Sequence, residues 1–105
     1  MLRFLRRQFG RYVDDSAGYS VRVKYNNFPG MDVIYREGSR VMVVFAEIMA
    51  NLKDLQLDLR TVGLVWEPPY DSEAISEGHR TVVLNRILTG LKYLGYNVTT
   101  IGRLD

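Results

Sequence analysis

Four stretches of the chain alternate apolar and polar positions with the period of a β-strand. In Tyr19–Tyr25, Tyr19, Val21, Val23 and Tyr25 share one face and Ser20, Arg22 and Lys24 the other. In Met31–Tyr35, Met31, Val33 and Tyr35 share a face. Arg40–Met49 is apolar on both sides, with Val41, Val43 and Phe45 against Met42, Val44 and Ala46, as suits a central strand. Leu55, Leu57 and Leu59 then alternate with Gln56, Asp58 and Arg60, which gives a strand with one wet face. Asn26–Gly30, Arg36–Ser39 and Asn51–Asp54 read as the turns between them, with Gly38 supplying the positive φ of a hairpin. Thr61–Gly63 leads into Leu64–Trp66, either as the same strand bent by a bulge at Gly63 or as a further one.

Pro68 and Pro69 stop that run, because neither has an N–H to give a ladder and both fix φ. Ser76 is placed to cap a helix that runs to about Leu94, with Gly95 at its end. Its periodicity changes from two to 3.6. Arg80, Val83, Leu84, Ile87, Leu88, Leu91 and Leu94 fall within roughly 140° of arc at about 100° per residue, so one broad face packs on a sheet. Val82, Arg86, Thr89 and Tyr93 follow on the face pointing away. Tyr96–Ile101 alternates again and makes a final strand.

The pattern therefore predicts an α+β fold in a single domain spanning 1–105. It has a five- or six-stranded, mainly antiparallel sheet with one long helix, about 77–94, on one face. Antiparallel strands occupy 19–66, the helix 76–95 and the last strand 96–101. One helix cannot cover both apolar faces of Arg40–Met49. The uncovered face predicts docking of the amino-terminal segment or a weak tendency to form a homodimer.

Charge divides the chain unevenly. Arg3, Arg6, Arg7 and Arg11 precede the first acid, Asp14, and without residues 1–11 ten Lys and Arg stand against twelve Asp and Glu, a net of −2. The basic character belongs to a terminal segment, 1–12, in which Leu2, Leu5 and Phe9 have a short amphipathic spacing. That segment suits docking, a targeting role, or contact with phosphates or lipid headgroups. It argues against nucleic acid as the partner of the domain as a whole. There is no apolar run of the ~20 residues that span a bilayer. The absence of cysteine fits a reducing compartment and excludes thiolate chemistry and disulfides. We expect a cytoplasmic protein.

No catalytic template fits the residue inventory. The single histidine, His79, falls in the first helical turn and reads as a solvated residue. No His-x3-His pair, metal-spaced acidic cluster, phosphate loop or nucleophile elbow occurs, so we expect no enzyme, cofactor or metal. Arg86 and Tyr93 on the outer helix face are of the types enriched at protein interfaces.

The segment from about Leu57 to Val98 carries Trp66-Glu67-Pro68-Pro69-Tyr70-Asp71, then Ile75-Ser76-Glu77, Asn85-Arg86-Ile87 and Gly95-Tyr96. In these it resembles the small immunity proteins encoded beside bacterial polymorphic toxins, of the contact-dependent-inhibition and Rhs types. The resemblance implies a non-catalytic protein that binds and neutralises a cognate toxin domain. If that toxin has a basic cleft, the acids between the fourth strand and the helix start, Asp54, Asp58, Glu67, Asp71, Glu73 and Glu77, are the candidates to meet it. Two alternatives remain open: a nucleic-acid or phosphate-surface binder using the amino-terminal arginines, and an accessory subunit of a larger assembly.

Overall fold

A computed structural model describes residues 10–59 and 64–102. Six strands form one sheet in chain order: β1 (Arg11–Asp14), β2 (Tyr19–Tyr25), β3 (Gly30–Glu37), β4 (Arg40–Ile48), β5 (Asp54–Asp58) and β6 (Asn97–Ile101). One helix, α1 (Glu77–Tyr93), lies between β5 and β6 in the chain. All neighbours are antiparallel except β5 and β6, which run parallel. Parallel neighbours need a long crossover, and α1 provides it. The α+β class and the long helix near the carboxy-terminal end of the described residues agree with the sequence pattern.

The sheet has one buried face. Tyr12, Tyr19, Val21, Met31, Val33, Tyr35, Met42, Val44, Ala46, Ile48, Leu55 and Leu57 point to the helix side, and all are buried. From α1, Val83, Ile87, Gly90 and Leu91 close on them. Gly90 is the point of nearest approach, since a Cβ there would stand 2.6 Å from Val21 Cβ. Gly90→Ala should therefore destabilise the fold by about 1–3 kcal/mol, the usual range for overpacking, despite alanine's better helix propensity. Urea unfolding followed by circular dichroism would measure it.

Both helix ends are as the sequence predicts. The Ser76 side chain accepts from the His79 N–H at 3.1 Å. At the other end Tyr96 N–H bonds Leu91 O and Gly95 N–H bonds Lys92 O, with Gly95 at φ +102°. This pair of bonds is a Schellman ending. Ser76→Ala should remove about 1 kcal/mol, read in the same unfolding experiment.

Two expectations need correction. The extra strand is β1, not Leu64–Trp66. Tyr12 is the residue that earns β1 its place, buried between Tyr19 and Tyr93 at 5.9 and 4.9 Å between ring centroids. Leu64 has φ +52°, outside the extended region of a regular strand, and Glu67 N–H→Val41 O is the bond that ties its segment to the free upper edge of β4. The face of α1 is also rotated from the expected one. Arg86 and Tyr93 do not point to solvent: Arg86 lies over the Tyr19 ring, 4.9 Å from its centroid, and Tyr93 packs on Tyr12. Gly90 contributes nothing to an apolar count yet sits at the centre of the contact, so the arc drawn through Leu84 and Leu88 lay to one side of the true one. The expected amphipathic docking of Leu2, Leu5 and Phe9, and the bulge at Gly63, lie outside the described residues.

Candidate binding surface

The polar chemistry of the domain collects where the start of α1 meets the end of β3. Glu37 is the hub. It accepts the Tyr35 hydroxyl at 2.6 Å and lies 2.9 Å from His79 Nε2 and 3.6 Å from the Arg86 guanidinium. Arg86 also donates to the Tyr35 hydroxyl at 3.1 Å. Trp66, buried, rests against both His79 and Tyr35. His79 is thus half-buried and engaged, not the solvated first-turn residue the sequence suggests, because Ser76 fixes the helix start directly opposite Glu37.

Next to this hub, Arg40 grips Glu73 with two hydrogen bonds of 2.8 Å and stacks over the Tyr70 ring at 4.4 Å. The hydrogen bond from Arg40 holds the Glu73 carboxyl below its usual range and raises the guanidinium in turn. These contacts fasten the loop after the Pro-Pro corner to the β3–β4 hairpin.

A carboxylate beside an imidazole is an arrangement that orients a general base. Here the same carboxylate also holds Tyr35 and Arg86. The nearest hydroxyl of the helix start, Ser76 Oγ, serves as the cap. The arrangement fastens α1 to the sheet. Among the described residues no group of three or more His, Asp or Glu could hold a metal ion.

Burial, with the Glu37 hydrogen bond second, raises the Tyr35 pKa well above the ordinary phenol, and burial raises Tyr19 to about 12. A raised phenol favours the neutral form in the fold, so this stability is complete below pH ~10 and declines as pH rises toward the folded value. Alkaline titration should show tyrosinate absorbance of these two rings appearing only with unfolding, above pH ~10.

The six candidate acids do not form one surface. Glu67, Asp71, Glu73 and Glu77 lie on or beside the loop fastened to the start of β4. Asp54 lies past the other end of that strand, where its carboxylate accepts from Asn51 and Asn97. Nine residues of strand separate the two places, about 26 Å at ~3.3 Å per residue. Asp58, on β5, is half-buried and already has an interaction. Glu73 is neutralised by Arg40.

The uncovered face of the sheet was legible as a problem but not as a site. Its rows follow from the register: Arg11 and Val13 on β1, Ser20, Arg22 and Lys24 on β2, Asp32, Ile34 and Arg36 on β3, and Val41, Val43, Phe45 and Glu47 on β4. Ile34 and Val43 are cross-strand partners, with Val41 and Phe45 on either side. These four make a continuous apolar strip, in which Phe45 is 37% exposed. Among the described residues no element covers the strip. At the end of the sheet where the β2–β3 and β4–β5 turns meet, Phe28, Met49 and Leu52 add exposed apolar surface, and Ile48 N–H→Pro29 O joins the two turns. Among the described residues no helix is long and apolar enough to cross a membrane. No family model, curated protein or solved structure matches the chain.

Proposed function

We propose that the protein is a non-catalytic binding module, an immunity protein that binds and neutralises a cognate bacterial toxin domain in the cytoplasm. The observation that carries this reading is the outer face of β1–β4, where Ile34, Val41, Val43 and Phe45 form an apolar strip with no described element over it. A contiguous exposed apolar patch on a small domain is typical of a protein interface. The resemblance of the Trp66–Asp71 corner and the capped helix to polymorphic-toxin immunity proteins supplies the class of partner. The same face would give the isolated protein a weak tendency to dimerise.

Co-expression with the carboxy-terminal domain encoded in the neighbouring reading frame tests the proposal. The parent should restore growth to cells making that domain. Val43→Asp with Phe45→Asp should fail to restore it while keeping the parent's circular dichroism. Protection by the doubly substituted protein would overturn the assignment of this face, and a neighbouring frame without a toxic domain that the parent relieves would overturn the function.

A further inference from the structure

The same outer face carries a charge pattern that the apolar strip does not explain. Arg11 and Arg22 are direct cross-strand partners on β1 and β2, and both are exposed. Arg36 on β3 is one diagonal step away, since Arg22 pairs with Ile34, two residues before it. Directly opposed residues have Cβ atoms about 5 Å apart and diagonal neighbours roughly 7–8 Å, so three guanidinium groups share one corner of the face. Among the described residues no ion pair or hydrogen bond engages any of the three. The acids of the face stand elsewhere: Asp32 opposite Lys24, Glu47 at the far end of β4, and Asp54 and Asp58 on β5. Asp14 and Asp15 border the concavity that Arg36 shares with Ser20, but they belong to the end and turn of β1 and have interactions of their own.

Like charges directly opposed across a ladder destabilise a sheet. The isolated domain therefore carries a repulsion that a complementary anionic surface would relieve, and the apolar strip lies alongside it.

We infer that the outer face docks an acidic protein surface, with carboxylates set against Arg11, Arg22 and Arg36 and apolar side chains set against Ile34, Val43 and Phe45. This rests on the binding-module reading and deepens it, because it reverses the expectation of a basic toxin met by acids. Four aliphatic or aromatic side chains in a row beside the arginines favour protein over nucleic acid, which needs a longer basic track and stacking rings. The four acids on the same face, spread along its far side, would also repel a long polyanion. Arg3, Arg6 and Arg7 of the amino-terminal segment carry the same sign as this corner. A second copy would have to avoid setting arginine against arginine.

Two arms test the inference. In the first, the full chain is titrated with an amphipathic helical peptide bearing a Glu/Leu face, with its Lys/Leu counterpart, and with oligouridylate, and amide shifts are followed by NMR. The Glu/Leu peptide should shift residues of β1–β4, lose affinity as salt rises, and bind about tenfold or more weakly to the R22E/R36E variant. Arg22→Gln should weaken binding yet raise the midpoint of thermal unfolding, because it removes the Arg11–Arg22 repulsion. Preferential binding of oligouridylate or of the Lys/Leu peptide, no binding of the Glu/Leu peptide, or self-association that occupies the same amides would each overturn the inference. In the second arm, R22E/R36E is compared with V43D/F45D for protection against the neighbouring toxin domain. Loss of protection only in V43D/F45D would leave the binding face standing and remove the acidic partner. If no toxin domain binds the parent, the function falls while the peptide arm still decides the chemistry of the face.

Discussion

Trp66→Ala is expected to lose about 3–5 kcal/mol of stability, the range for deleting a large buried aromatic side chain. The indole is 4% exposed and sits at the junction of three parts of the fold. It is stacked on Tyr35 of β3, with 6.3 Å between centroids and 22° between planes. It meets His79 of α1 at 6.2 Å. The next residue, Glu67, donates its N–H to Val41 O of β4 at 2.7 Å. Alanine would leave a cavity under the helix start and free the Pro-Pro corner to shift, so collapse around the site can recover little. Chemical denaturation followed by circular dichroism gives the loss directly, with the parent's Trp fluorescence as a second probe. Near-parent stability in the variant, with binding of the partner abolished, would instead make Trp66 an interface residue.

The sequence leads one to expect Trp66 buried against the amino-terminal half of the helix near Val83 and Ile87; it is buried at that end, and the rings it meets are Tyr35 and His79. An aromatic residue at the end of an apolar run, followed by two prolines and a capped helix, has one place to go: between the sheet and the helix start. The strands β2 and β4 were readable for a similar reason, because a half-buried or fully buried strand imposes its period of two on the residues themselves. Elements held by a single large residue were not. β1 is four residues long and shows only Tyr12 to the core, amid arginines that look like a tail. Arg86 and Tyr93 read as a solvent face because their polar ends mask how much apolar stem and ring they lay along the aromatic rows beneath. The candidate surface needed register. Arg11, Arg22 and Arg36 are 25 residues apart end to end in the chain, and only the pairing of β1 with β2 and β2 with β3 makes them neighbours. The acids failed as a group for the converse reason: Asp54 and Glu67 are close in sequence, but Asp54 stands past the Ile48 end of β4 and Glu67 is bonded to Val41 near its start.

Glu37→Leu is expected to lose about 2–3 kcal/mol, more than a surface ion pair would and less than Trp66. The carboxylate is one-fifth exposed, so water screens it only in part. Removing it withdraws three partners at once. The Tyr35 hydroxyl, on a ring with no exposed surface, loses its acceptor. His79 loses its tie to the sheet, and Arg86 is left over the Tyr19 ring with a neutral hydroxyl as its sheet-side partner. A buried polar group left without its partner costs about 1–3 kcal/mol, and charged partners sit at the upper end. Because the three contacts share one acceptor, single deletions should not add: Glu37→Leu with His79→Leu should cost less than the sum of the two alone. A double-mutant cycle in urea measures that coupling. Simple additivity would show that Glu37 and His79 stabilise the fold independently, and that the pair does not fasten α1 to β3. A second readout is the binding of the Glu/Leu peptide, which engages the opposite face of the sheet. It should stay unchanged in Glu37→Leu at temperatures where the variant is folded, since the hub and the outer arginines lie on opposite sides of β3.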